Sequence, residues 1–206
     1  MTGETHVEAF TFTEYNQNVA QQIIAKYPAG RQASAVIPLL MLAQRQHGGW
    51  LPQSALDHVA RVLDMPPIRV YEVATFYTMF KLSPIGRHHL EICTNISCWL
   101  RGSDQIVEAC KRKLGISVGE TTADGLFTLS EAECLGACVN APMAQIGLDY
   151  FEDLSVESIE AIIDALKAGE TPKPGSQIGR RSSEPISGLT TLNGNPAHST
   201  PQSGDQ

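Results

Sequence analysis

Apolar positions in the first part of the chain recur at helical spacing. A helix over residues 14–26 gathers Val19, Ile23 and Ile24 on one face, with Tyr27 just beyond, and Pro28 and Gly30 end it. Ser34 is placed to cap a second helix over residues 35–46. Its run Val36, Ile37, Leu39, Leu40, Leu42 is apolar nearly all round, which puts it at the centre of a bundle. Pro38 must lie in its first turn or kink it, and Gly48-Gly49 closes it. A third helix over residues 53–63 aligns Leu56, Val59, Ala60 and Leu63. A fourth begins after Pro66-Pro67 and carries Val70, Val73, Ala74 and Tyr77 before Pro84 and Gly86 break the chain.

The pattern then changes. Residues 89–93 alternate as a strand, and a helix over 103–114 turns Ile106, Val107, Cys110 and Leu114 inward. Short strands follow at 126–129 and 143–146. Ser155 caps a last helix, striped by Val156, Ile159, Ile162, Ile163 and Leu166 and stopped at Gly169. The whole is α+β: a helical bundle over residues 1–86, a small α/β layer over 87–170, and a tail over 171–206.

Charge supports these divisions. The first region is neutral, the second carries a net charge of −8 and the third +1, within a chain total of −7. Pro, Gly, Ser and Thr make up 20 of the 36 tail residues, too little apolar surface to offset ordering entropy. The tail is therefore expected to be extended or disordered alone and ordered by a partner, at least as far as Leu192, with Arg180-Arg181 available to acids of that partner.

An acidic chain of 206 residues argues against nucleic-acid binding. No apolar run approaches the roughly 20 residues of a membrane-spanning helix. The opening MTGETHVEAF lacks the basic start and apolar stretch of a leader, so a cytosolic setting with reduced thiols is expected. There is no G-x-G-x-x-G, no P-loop and no G-x-S-x-G elbow.

The chemistry lies in the cysteines. Cys93 and Cys98 are spaced C-x4-C in CTNISC, and Cys134 and Cys138 C-x3-C in CLGAC. Three readings are open: packing thiols, a structural zinc site, and an iron–sulfur cluster. The loop contexts, one pair preceding a helix and 35 residues lying between the pairs, favour a [2Fe–2S] cluster over zinc knuckles. A [2Fe–2S] rhomb takes two thiolates per iron, and the simplest assignment gives one iron to each pair. Gly136 and Ala137 would let backbone N–H groups approach the sulfurs, with Thr94, Asn95 and Ser97 as side-chain donors. The acidic surroundings point to a low potential. Rieske and plant-type ligation patterns and a C-x-x-C redox motif are absent. Cys110 reads as a core residue, Trp99 as either a shield for the site or ordinary packing, and His88-His89 as opposite-facing strand residues.

Several stretches resemble the E-type subunit family of NADH:quinone oxidoreductase, respiratory complex I. They are YPAGRQASAVIPLLMLAQRQHGGWLP from Tyr27, VYEVATFYTMFKLSPIG from Val70, CTNISCWLRG from Cys93, ECLGACVNAPMAQI from Glu133 and YFEDLS from Tyr150. The tail's KPGSQIGRRSSEPISGLTTL is similar to the family's C-terminal extension. The resemblance implies a helical bundle followed by a thioredoxin-like [2Fe–2S] ferredoxin domain, with Cys93, Cys98, Cys134 and Cys138 as cluster ligands. It implies an electron-transfer subunit docked against a flavin subunit (F type) that binds NADH and FMN, with the large iron–sulfur subunit (G type) as a second neighbour. The setting it implies is the cytoplasmic side of a bacterial inner membrane, or the matrix side in a mitochondrion. NAD-reducing hydrogenases and NAD-linked formate dehydrogenases use similar subunits and stand as the alternative, together with a zinc-stabilised interaction module.

Overall fold

The computed structural model describes residues 9–188, 190 and 191. The chain divides between Arg87 and His88 into two compact units.

The first unit is helical. Helix α1 (Glu14–Ile24) is capped by Thr13, whose hydroxyl accepts from the Asn16 N–H. Helices α2 (Val36–Gln46), α3 (Gln53–Val62) and α4 (Pro67–Phe76) follow. Helix α2 packs on each of the other three, and its Leu39, Leu40 and Ala43 are wholly buried. Ser34 does not cap α2: residues 32–35 already coil as a 3-10 turn that runs straight into it. Pro38 falls in the first turn, where a missing N–H costs no hydrogen bond. Pro67 opens α4 at its first position for the same reason.

The second unit is a five-stranded sheet in the order β2-β1-β3-β4-β5. Its strands are β1 (His88–Cys93), β2 (Phe127–Ala132), β3 (Ala144–Ile146), β4 (Asp149–Glu152) and β5 (Gly175–Ser176). Strand β1 runs parallel to β2 and antiparallel to β3, with Leu90 opposite both Leu129 and Ile146. Strand β4 is antiparallel to β3 and parallel to β5. Helices α5 (Ile96–Leu100), α6 (Ser103–Leu114) and α7 (Val156–Lys167) complete the unit. Helix α6 packs against β1, β2 and α7. Ile106, Cys110, Ile159 and Ile163 fill the core with Phe127 and Leu129. A Ser155–Ser158 capping box starts α7.

Three elements depart from the sequence reading, the short helix α5 among them. Strand β4, absent from the sequence reading, has four residues, and a tight Gly147-Leu148 turn joins it to β3. The described part of the tail is held by this chain itself. Gly175 pairs with Phe151, and Arg180 pairs with Asp153 rather than with a partner's acids. Leu192 lies outside the described residues. No helix among the described residues is long and apolar enough to cross a membrane.

Candidate metal centre

Cys93 is the last residue of β1, and its N–H donates to the Met143 carbonyl at 3.1 Å. The chain then turns at Asn95, whose side-chain oxygen accepts the Ile96 N–H at 2.8 Å and so caps α5. Cys98 sits within α5, not in an open loop. Both thiols are buried, at 2% and 1% exposure, against Ala141 and Met143.

Cys134 and Cys138 occupy the segment after β2 and are exposed. Gly136 turns this segment at φ +86°, a backbone that a side chain would strain. Cys138 opens a 3-10 turn, Cys138–Asn140, which packs against α5. The Cys93 Sγ reaches the Glu133 carbonyl at 3.7 Å, so the end of β1 meets the start of the second cysteine segment. In a metal-bound state that sulfur would be a thiolate, with no proton to give.

The thiols gather as two close pairs, with Cys138 of one pair also near Cys98 of the other. The Cys134 and Cys138 sulfurs are 3.8 Å apart, and the Cys93 thiol interacts with Cys98. A tetrahedral metal with metal–sulfur bonds of about 2.3 Å holds its sulfurs roughly 3.8 Å apart. Among the described residues no three His, Cys, Asp or Glu side chains converge on a single-ion position. Two sulfur pairs from adjoining segments fit a two-iron rhomb, in which each iron needs only two protein thiolates.

Burial above all, then the neighbouring Cys93 and Cys138, pushes the Cys98 thiol up to about 12, and the Met143 N–H only partly opposes this. A thiol so disposed ionises when a cation replaces its proton, which makes metal binding proton-releasing. Cys110 is 0% exposed in the α6 core, and burial with Glu160 nearby pushes it up to about 12 as well. It stands with Ile106 and Leu129, apart from the four thiols.

Trp99 does not pack inside. It is 57% exposed, and its indole N–H donates to Asp104 at 2.9 Å. His88 lies on Phe127, and His89 meets Ser130 at 2.8 Å and Glu91 at 3.7 Å, so neither ring approaches the cysteines. A surface groove of about 410 Å³ runs beside Cys138, walled in part by Ser97, Leu100, Val139 and Arg180. Sequence reasoning gives Tyr150, Asp153 and Asn140 no role, yet all three tie down the second cysteine segment. Tyr150 donates to the Leu135 carbonyl at 2.8 Å, and Asn140 donates to Glu152 and to the Ser182 carbonyl. Of these contacts only the Asp153–Arg180 pair leaves a trace in the sequence, as the basic dipeptide Arg180-Arg181.

Paired thiols at the end of a sheet, with one of them inside a short helix, have the form of an iron–sulfur protein of the ferredoxin class. Residues 20–167 match the thioredoxin-like [2Fe-2S] ferredoxin family, and the chain belongs to it. It is 56% identical over 163 residues to the E subunit of the NADH-quinone oxidoreductase of Rickettsia conorii, covering 79% of this chain and 98% of that one. It is 49% identical over 183 residues to the mitochondrial NADH dehydrogenase [ubiquinone] flavoprotein 2 of Dictyostelium discoideum, covering 89% and 74%. Among solved structures, an NAD+-reducing [NiFe]-hydrogenase in the air-oxidized state matches 63% of this chain and 23% of its own, with a TM-score of 0.56 and 24% identity. That likeness speaks to the fold alone.

Proposed function

We propose that this chain is an electron-transfer subunit of the NADH dehydrogenase module of respiratory complex I, holding one [2Fe–2S] cluster on Cys93, Cys98, Cys134 and Cys138. The observation that carries the reading is 56% identity to the rickettsial E subunit across 98% of its length. The pairing of the four thiols at adjoining segments supports it chemically.

When bound, the cluster takes up and returns one electron at a time. The chain supplies the rest. Cys93 and Cys98 hold their side of the site away from water, against Ala141 and Met143. Cys134 and Cys138 lie at the surface, where a redox partner can come close. Ile96, Leu100 and Val139, all largely exposed, flank that edge and suit burial against another protein. The partner is a flavin subunit that carries FMN and NADH, with the large iron–sulfur subunit as a second neighbour. The chain is thus part of an oxidoreductase without a complete active site of its own, on the cytoplasmic or matrix side of its membrane. The 24% likeness to an NAD+-reducing hydrogenase speaks to the fold and gives no support to a hydrogenase or formate dehydrogenase partner.

The test is anaerobic purification with iron and sulfide assay, and EPR before and after dithionite. Two irons and two sulfides per chain are expected, silent when oxidised and giving a spin-half signal when reduced. Cys→Ser changes at the four positions should alter or abolish that signal. A colourless protein with one zinc overturns the reading.

A further inference from the structure

We infer that Tyr150 and Arg180 are positioning residues for the cluster: they hold two carbonyls of the Cys134–Cys138 region so that its N–H groups stay free to donate to the sulfurs. This rests on the ligand assignment proposed above.

The segment has every reason to wander. Cys134, Gly136, Cys138 and Val139 are all exposed, so burial does little to fix them. Hydrogen bonds fix them instead. The Tyr150 O–H donates to the Leu135 carbonyl at 2.8 Å from one side. Arg180 donates to the Val139 carbonyl at 3.2 Å from the other. Between and beyond these, the Asn140 N–H holds the Ala137 carbonyl at 3.0 Å, and the Asp153 N–H holds the Asn140 carbonyl at 2.7 Å.

A trans peptide is planar, so each N–H points opposite the carbonyl that precedes it. Tyr150, holding the Leu135 carbonyl, thereby fixes the Gly136 N–H, and Arg180, holding the Val139 carbonyl, fixes the Asn140 N–H, whose bond to the Ala137 carbonyl in turn fixes the Cys138 N–H. Among the described residues, neither the Gly136 nor the Cys138 N–H donates to a protein oxygen. These two uncommitted donors lie in the segment that carries both exposed thiols, where they would meet sulfur charge once the cluster is bound. Hydrogen bonds to ligand sulfurs raise the potential by stabilising the extra electron.

Arg180 suits this task because its own charge is already answered. Its second nitrogen donates to Asp153, and its first also meets the Glu184 carbonyl at 3.3 Å. It therefore acts through the shape of the segment, not as a bare cation near the iron.

The experiment compares the full cluster-loaded chain with Tyr150→Phe and Arg180→Lys. The first removes a single O–H and keeps the ring; the second keeps the charge and loses the planar fork. Both are expected to lower the midpoint potential, to shift the EPR g-values of the reduced state, and to release iron to a chelator about tenfold faster. Tyr71→Phe, which removes a phenol bond to Asp57 in the first unit, should change none of these. If Tyr150→Phe keeps two irons with wild-type potential and spectrum, the inference is overturned, even if it melts earlier. A wild-type chain that holds no iron defeats the ligand assignment itself, a result distinct from an unshifted variant.

Discussion

Arg180 donates to the Asp153 Oδ1 at 2.6 Å with both side chains nearly out of water, at 6% and 3% exposure. The other Asp153 oxygen accepts from Ser176 at 2.7 Å, so the carboxylate is occupied on both sides. Removing one partner strands a buried charge. Arg180→Ala and Asp153→Ala are each expected to cost about 3 kcal/mol. The measure is the denaturant midpoint at unchanged slope. The double variant should lose less than the two singles added together, and simple additivity would show that the pair is not coupled.

Cys110 offers a contrast with the other thiols. Cys110→Ser places a hydroxyl at a wholly buried position in the core and is expected to cost about 1–3 kcal/mol. Iron content and EPR should be untouched. A changed EPR signal at wild-type stability would place Cys110 in the wrong role.

The His58 ring is held below its ordinary imidazole range by burial, and next by Arg61. Its Nε2 accepts the Phe12 N–H at 3.3 Å, which requires that nitrogen to be unprotonated. Below about pH 6.5 the unfolded chain takes up a proton that the folded ring resists. The contribution to stability is therefore present above that pH and is lost as pH falls. Unfolding midpoints at about pH 7.5 and 5.5 should fall further in wild type than in His58→Gln. Equal falls in the two proteins would refute this.

Leu100 is 71% exposed on the helix that carries Cys98. Leu100→Glu should leave the cluster signal intact and weaken recovery of the flavin subunit by about tenfold, a cost of roughly 1.4 kcal/mol. Co-purification of the module from cells reads it directly. Undiminished recovery would move the contact elsewhere on the chain.

Much of the fold is legible in the sequence because burial is periodic. Leu39, Leu40, Val59 and Val70 mark the first core, and Leu90, Ile106, Leu129 and Ile163 the second. The cysteine spacing marks the candidate ligands for a different reason: close pairs of thiols have few other uses. What escapes depends on single long-range contacts. Tyr150 reaches Leu135, and Arg180 reaches Asp153 across 27 residues. Neither bond leaves a periodic trace. Composition is actively misleading for the tail, since it counts apolar surface and misses one buried ion pair and one short strand.

That short strand bears on how the chain can be shortened. Gly175–Ser176 closes the open side of β4, in a stretch whose Pro and Gly content invites removal. A version trimmed just after α7 would bare the backbone of Phe151 and Glu152, together with the unpaired carboxylate of Asp153. An uncovered sheet margin is a template for strand addition by a neighbouring molecule. Such a trimmed protein would be prone to precipitate, and with Arg180 gone it would also lose the hold on the Val139 carbonyl beside Cys138.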